Sequence, residues 1–481
     1  MHRRDFCKVA SLGAAALALP ARLLRAQAAD GAPAAAPARA RIEAARAAQE
    51  IAGFGASGAF HMADLLQHFA DAERARVLDA LFATSGNGAG LSMVRNIIPA
   101  GDRRAPGIEP AAGQWNWSGD AGQIWLMREA AQRGCTRFVS TAWTPPAWMK
   151  SNANIVGGRL RRERYEDYAE YLARYVFEYR ARHGLEIYAV SPQNEPDVTV
   201  QYASCYWTGE EYRDFVKTAL GPVWRRRRVP AQVILGEPST WTEAPVVPAL
   251  GDAEARDAIG IVAAHAYFGD NAVPAVRLTD RIGPFPAARA AGKPIWQTEV
   301  SAFNGNDAGI ADALYWAKLL HFHLAEDQVS GWFYWWLVSP RDNREALVQL
   351  DPASQTWMPN RRLFALGQYS RFVRPGAHRV AADAIPAPGV FVSAYRDGEA
   401  LAIVAINDNA QPVAAEFTIA DLQPAAVAAY RTSAFEELRP LAQPLPFGPP
   451  LRGEAPVLRG GAAPVVAATL AGQSITTFTL R

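Results

Sequence analysis

Eight short apolar, β-prone runs, separated by stretches with helical periodicity, constrain the fold of this chain more than any other feature. They are Ile51 to Ser57, Leu91 to Asn96, Thr136 to Trp143, Glu186 to Gln193, Gln232 to Glu237, Ile259 to Tyr267, Pro294 to Glu299 and Gly331 to Leu337. Between them lie amphipathic stretches such as Tyr165 to His183, in which Tyr168, Tyr171, Leu172, Tyr175 and Val176 recur at helical spacing. Strand and helix in alternation read as a parallel α/β structure. Eight such units over roughly 320 residues fit a (β/α)8 barrel, with bounds here of 51–375. The rival is an open doubly wound sheet that binds a nucleotide, but no Gly-x-Gly-x-x-Gly turn follows the first run.

Past Pro375 the texture changes. Val390 to Tyr395, Leu401 to Ile406, Ala414 to Ile419 and Ser474 to Leu480 are β-rich runs separated by Asp, Asn, Gly and Pro, the pattern of an antiparallel β domain over 376–481. Residues 41–50, just ahead of the first barrel run, are placed to add a strand to it. Residues 29–40 are nearly all Ala, Pro and Gly and read as a tether. Ahead of them the twin arginine Arg3-Arg4 precedes the apolar stretch Val9 to Leu19, and Ala26-Gln27-Ala28 fits a small-x-small cleavage pattern. Residues 1–28 therefore resemble a Tat-type signal peptide, and an exported protein, periplasmic or extracellular, is expected. That apolar stretch is shorter than the roughly 20 residues that span a bilayer, and no later segment qualifies, so no membrane anchor is expected.

A formal net charge of +2, from 49 basic and 47 acidic residues, gives no field to steer nucleic acid. The run Arg225 to Arg228 ends a helix-like segment, where cations complement the helix dipole. Cys135 and Cys205 read equally as buried thiols or as a disulfide. No cluster of His and Cys has metal-ligand spacing, so neither metal nor other cofactor is expected. Nothing in the sequence speaks to oligomeric state.

Three of the eight runs lead to a carboxylate, and two of the three suggest chemistry. Glu186 to Ser191 precedes Asn194-Glu195-Pro196-Asp197, and Pro294 to Thr298 ends in Glu299. In parallel barrels chemistry collects at the C-terminal ends of strands. A carboxylate pair there is the equipment of glycoside hydrolysis, one acting as acid/base and the other as nucleophile. The two are 104 positions apart, so only a fold that gathers strand ends unites them. Either glutamate alone reads as well as a helix cap or a surface ion pair. Glu237, ending the fifth run, reads as a structural acid, and His265 alone reads as a core histidine. Six of the fourteen tryptophans, Trp143, Trp148, Trp207, Trp296, Trp335 and Trp336, sit near strand ends, and aromatic faces suit the C–H side of sugar rings. Because adjacent strand residues face opposite sides, Trp143 and one of Trp335 and Trp336 are expected to wall a sugar site.

These motifs resemble glycoside hydrolase family 30. The markers are Gly53-Phe54-Gly55, Ser92-Met93-Val94-Arg95-Asn96, Trp143-Thr144-Pro145-Pro146-Ala147-Trp148-Met149-Lys150-Ser151-Asn152, Gln193-Asn194-Glu195-Pro196-Asp197, Trp296-Gln297-Thr298-Glu299 and the segment from Phe364 to Gly376. The resemblance spans essentially the whole chain after the signal-like segment. It implies a (β/α)8 TIM barrel fused to an antiparallel β side domain built from both chain ends. It also implies a retaining mechanism, with Glu195 as acid/base after the fourth strand and Glu299 as nucleophile after the seventh. The strand count made from periodicity alone puts them on the same two strands. Asn194 would meet the substrate 2-hydroxyl, Tyr267 would hydrogen-bond the nucleophile, and Arg95 would hold Glu299 ionised. Tyr206 and Trp207, in the loop after the acid/base, are expected on the leaving-group side.

Within that family the chain looks closest to xylan-acting members, on Val390 to Tyr395, Ile403 to Asn407 and the Trp143 to Trp148 loop. The expected activity is that of an exported endo-β-1,4-xylanase on a polysaccharide substrate. A β-1,6-glucanase or galactanase, and a glucosylceramide-type exo-β-glycosidase, are the alternatives. A catalytically silent carbohydrate-binding protein would have lost a carboxylate, and both are present. Glucuronoxylan-specific bacterial relatives carry an arginine pair shortly after the eighth-strand tryptophans. Here the segment reads Leu337-Val338-Ser339-Pro340-Arg341-Asp342-Asn343-Arg344, so Arg341 and Arg344, at altered spacing, are the candidates to grip a glucuronate carboxylate.

Overall fold

A computed structural model describes residues 36–101, 106–267, 277–301, 309–340, 345–441 and 455–481. Strand β1 (Ala38–Glu50) is followed by the barrel strands β2 (Gly53–Ser57), β3 (Met93–Ile97), β4 (Arg137–Thr141), β5 (Ile187–Ser191), β6 (Gln232–Gly236), β7 (Ile261–His265), β8 (Ile295–Glu299) and β9 (Val329–Pro340). Each barrel strand pairs in parallel with the next, and β9 closes the ring against β2. All eight expected strands are present and in the expected order. Two further strands, β10 (Ala346–Asp351) and β11 (Thr356–Pro359), extend the sheet from the outer part of β9.

The barrel is filled rather than hollow. Met93, Val139, Ile234, Ile261, Trp296 and Phe333 form its inner cluster. Trp296, expected near the mouth, is instead 1% exposed inside the barrel. Gly331 makes room for it: a Cβ there would lie 2.5 Å from the Trp296 ring, far inside van der Waals contact. Outside, the helix Tyr165–His183 buries Tyr168, Tyr171, Leu172, Tyr175, Val176 and Tyr179, one apolar stripe at helical spacing, and ends on Gly184 at φ 67.

The second sheet contains β1 with β12 (His378–Ala382), β13 (Val390–Asp397), β14 (Ala400–Asn407), β15 (Val413–Ala420), β16 (Val427–Thr432), β17 (Arg439–Pro440), β18 (Val457–Arg459), β19 (Val465–Leu470) and β20 (Ser474–Leu480). Two expectations are corrected here. The N-terminal strand begins at Ala38, three residues inside the segment read as a tether. Ala38, Ala40 and Ile42 face inward while Arg39 and Arg41 face out, so the alanines are the packed face of a period-2 strand. The sheet is also not wholly antiparallel, because β1 lies between β12 and β15 and runs parallel to β15. A strand delivered from the far end of the chain is free of the hairpin geometry that forces antiparallel neighbours.

Cys135 and Cys205 are free, buried thiols. The run Arg225 to Arg228 ends the helix Gly221–Arg227, with Arg226 and Arg227 paired to Glu170 of the neighbouring helix. Among the described residues no helix is long and apolar enough to cross a membrane. The signal-like segment 1–28, Arg341 and Arg344 lie outside the described residues.

Candidate active site

The carboxylates stand where the barrel strands end. Glu299 is the last residue of β8, whereas Glu195 lies in the turn after β5 and Glu237 directly follows β6. Glu195 and Glu237 adopt φ of 44° and 52°, a left-handed conformation that costs a non-glycine residue about 1–3 kcal/mol. Backbone hydrogen bonds to the neighbouring strand hold each one there. The Glu195 amide donates to the Glu237 carbonyl at 2.9 Å, and the Glu237 amide to the Ala263 carbonyl at 2.7 Å. The strained turn thus aims a side chain rather than continuing a strand.

Arg95 of β3 is fully buried and organises the cluster. Its Nη1 donates to Glu299 Oε2 at 2.7 Å, its Nη2 to Asn194 Oδ1 at 2.7 Å, and its Nε to Glu237 Oε1 and Thr141 Oγ1, both at 3.2 Å. The guanidinium also lies 4.7 Å from the centre of the Trp143 ring. Tyr267, held by a parallel bridge to Thr240, donates its hydroxyl to Glu299 Oε1 at 3.1 Å. His265 stands between the two strand-end glutamates, with Nδ1 3.1 Å from Glu195 Oε1 and Nε2 3.8 Å from Glu299 Oε2. One oxygen of each glutamate and one imidazole nitrogen all fall within 4.8 Å of one another.

The charges follow from this packing. Burial pulls the Arg95 pKa down, but the charges of Glu237 and Glu299 more than offset it. Glu237 is held below the usual carboxylate range, because Arg95 and His265 outweigh its burial. Burial raises the Glu299 carboxyl and the charge of Glu195 adds to this, with His265 and Arg95 pulling against them. Burial alone would lower His265, yet the Glu299 charge and the Glu195 hydrogen bond raise it. Glu195, His265 and Glu299 have the donor types of a metal site, but Arg95 already brings its positive charge to within 2.7 Å of Glu299, where a divalent cation would meet repulsion.

A cavity of about 460 Å³ opens over the two glutamates. Phe60, Trp143, Tyr202, Tyr267, Trp335 and Trp336 form its aromatic walls, and Glu345 adds a carboxyl. The Phe60 ring stands edge-on to Trp143 at 5.2 Å and to Tyr202 at 5.8 Å.

Four expectations about this cavity need correction. Trp335 and Trp336 both face it, with rings 5.0 Å apart and nearly parallel. A bulge makes this possible, since Ala56 pairs with Tyr334 but Ser57 with Trp336, and the extra residue cancels the strand alternation. Trp207 is core: it is 4% exposed, its Nε1 donates to Gln193 Oε1 at 3.2 Å, and it stacks on Tyr165. Tyr206 lies under Arg159 and outside the cavity lining, and Tyr202 of the same loop lines the cavity instead. Trp148 is likewise spent elsewhere, its Nε1 donating to the Glu109 carbonyl. Sequence reasoning missed Phe60, His265 and Glu345 as site residues. Only His265 carried a local signal, lying two residues before Tyr267 at a strand end.

A family model described as glycosyl hydrolase family 59 matches residues 51–354. The fold superposes on the glycoside hydrolase family 30 subfamily 8 xylanase Xyn30A of Clostridium acetobutylicum with a TM-score of 0.74 and 28% identity, covering 92% of this chain and 99% of that one. The chain belongs to the glycoside hydrolases of the family 59 and family 30 type. This hydrolase also matches the catalytic domain of the family 30 xylanase C of Talaromyces cellulolyticus, with a TM-score of 0.77, 25% identity and coverage of 92% and 100%. Glucuronoxylanase XynC of Bacillus subtilis is 28% identical to the hydrolase over 325 residues, 66% of this chain and 71% of that protein. Its likeness within family 30 is thus to members described as xylanases.

Proposed function

We propose that this hydrolase is an exported, retaining endo-β-1,4-xylanase in which Glu299 is the nucleophile and Glu195 the acid/base. The observation that carries the reading is the approach of the two carboxylates to within 4.8 Å beneath an aromatic cavity. Retaining glycosidases hold their carboxyls about 5–5.5 Å apart, whereas inverting ones leave about 6.5–9.5 Å for a water.

The hydrogen bonds divide the labour. Glu299 receives donors from Arg95 and Tyr267, while the Glu195 side chain meets His265. Donors to the ionised form favour it, and the Arg95 and Tyr267 donors on Glu299 therefore assign it as the attacking carboxylate, with Glu195 as the proton donor. In the first step Glu299 bonds to the anomeric carbon, the glycosidic C–O bond breaks, and the Glu195 proton goes to the leaving oxygen. In the second, Glu195 takes a proton from water, the hydroxide attacks the anomeric carbon, and Glu299 leaves with its electron pair. Asn194, its Oδ1 fixed by Arg95, keeps Nδ2 as a donor for the sugar 2-hydroxyl. Trp143, Trp335 and Trp336 supply flat apolar faces for sugar rings.

The xylanase relatives support xylan as the substrate. Glucuronoxylan, arabinoxylan, β-1,6-glucan and β-1,6-galactan form the testing panel. The xylans are expected to be cleaved to oligosaccharides whose first-formed reducing ends are β-anomers by NMR. The β-1,6-glucan arm carries weight, because the endo-1,6-β-D-glucanase of Neurospora crassa is 24% identical over 387 residues. Turnover of that polymer alone would replace the xylan reading, and α-anomers formed first would end the retaining one. Export rests on the Arg3-Arg4 pair. Changing Arg3→Lys together with Arg4→Lys is expected to trap the protein in the cytoplasm, and unaltered export of that variant would refute a twin-arginine route.

A further inference from the structure

We propose that Glu237 is a positioning residue for the retaining reaction: its carboxylate shares the charge of Arg95 with Glu299, so that the arginine orients the nucleophile without quenching it. The proposal rests on the reading of Glu299 as nucleophile and adds to it a carboxylate that never meets the sugar.

Glu237 is fully buried and lies outside the cavity lining, so it can neither attack a substrate nor protonate one. Its place is fixed from both ends. The backbone turns at φ 52° just after β6, where the Glu237 amide donates to the Ala263 carbonyl of β7 and its own carbonyl accepts the Glu195 amide. The side chain then reaches Arg95, with Oε1 3.2 Å from Nε and 3.1 Å from Nη2. This contact takes one edge of the guanidinium. Nη1, on the other side, donates to Glu299 Oε2 at 2.7 Å, and Nη2 also meets Asn194. One carboxylate would balance a buried arginine; the second leaves the trio with a net negative charge.

That excess charge bears on the chemistry. A cation and its donors lower the basicity of a carboxylate, and a less basic carboxylate attacks more slowly and departs more readily. Arg95 and His265 hold Glu237 below the usual carboxylate range despite its burial, so at neutral pH it is an anion and draws on the arginine. Glu299 thereby keeps the basicity that the first displacement needs. With Glu237 neutral, the attraction of Arg95 falls on Glu299 alone. Formation of the bond from Glu299 to the anomeric carbon then slows, whereas its breakage, in which Glu299 departs, does not.

The test separates charge from shape. Glu237→Gln keeps the shape and removes the charge, and Glu237→Asp keeps the charge on a shorter arm. Formation is read as dinitrophenolate release from a dinitrophenyl β-xylobioside with enzyme in excess, and breakdown as reactivation of enzyme trapped with the corresponding fluorinated sugar. In Glu237→Gln, formation is expected to slow about tenfold while breakdown stays within about twofold of wild type or quickens. Formation in Glu237→Asp should lie nearer to wild type than in Glu237→Gln. Equal slowing of both steps in Glu237→Gln, or faster formation in Glu237→Gln than in Glu237→Asp, would reduce Glu237 to a structural part and overturn the proposal. If Glu237→Gln does not fold, Glu237→Asp decides alone: formation within about tenfold of wild type supports the proposal, and a larger loss overturns it. If wild type ignores the xylobioside, the xylan reading fails and a dinitrophenyl β-glucoside carries the same comparison. An inverted first product from wild type would end the retaining reading, and this proposal with it.

Discussion

Glu299→Gln is expected to lower kcat by roughly ten thousand- to a million-fold, the scale seen when a covalent nucleophile is removed, while leaving the fold intact. Glutamine keeps the shape of the side chain and an oxygen to accept from Tyr267, which donates at 3.1 Å. Arg95 retains Glu237 as a counter-ion, so the substitution strands no buried charge. Circular dichroism and thermal unfolding close to wild type would establish that the loss is chemical. Glu195→Ala should behave differently, because proton transfer alone is lost. Substrates with activated leaving groups should still glycosylate Glu299, and added azide should release a glycosyl azide of retained configuration. Activity of Glu299→Gln within tenfold of wild type, or an inverted azide product, would remove the assignment of roles to these two glutamates.

How much of this was legible in the sequence depended on what each feature answers to. The barrel strands were, because a strand buried on both faces is mostly apolar, and in β2 and β7 all five residues are buried with only the last of each, Ser57 and His265, polar. The placement of Glu195 and Glu299 at strand ends followed from the same pattern. The alanines of β1 were misread because composition cannot tell a tether from the small-residue face of a strand; pairing with β12 and β15 decided it. The Trp335 and Trp336 pair defied alternation because a bulge is set by the neighbouring strand and leaves no mark on its own sequence. Trp207 looked like a site residue by position, yet Tyr165, from a helix that begins 42 positions earlier, closes over it together with Tyr212 and Phe215 of the helix that follows it. Glu345 was invisible for a related reason: its neighbour across the cavity, Glu299, is 46 positions earlier. Sequence periodicity reports what an element does along itself, and these cases were settled by what other elements bring to it.

Arg95→Met is expected to cost about 3–5 kcal/mol of stability at neutral pH, the penalty for breaking a buried ion pair and leaving its partner uncompensated. The reason lies in Glu237, which is fully buried and whose side chain lies 3.1 Å from the guanidinium. In the wild-type protein Arg95 and His265 hold Glu237 below its ordinary pKa against the effect of burial. A depressed carboxylate stabilises the fold above its unfolded pKa and loses that contribution as pH falls through the folded value. Without Arg95, burial prevails and the Glu237 pKa rises above the ordinary range. The sign then reverses: its contribution is present at low pH and lost as pH rises. Urea unfolding of wild type and variant should therefore show a deficit that widens from about pH 4 to pH 7. Adding Glu237→Gln to Arg95→Met should restore part of the loss at pH 7, although Glu237→Gln alone destabilises, a coupling expected of two groups in direct contact. A deficit that stays constant with pH, or a double variant no better than Arg95→Met, would mean that the arginine stabilises the barrel by packing against Trp143 rather than by its charge.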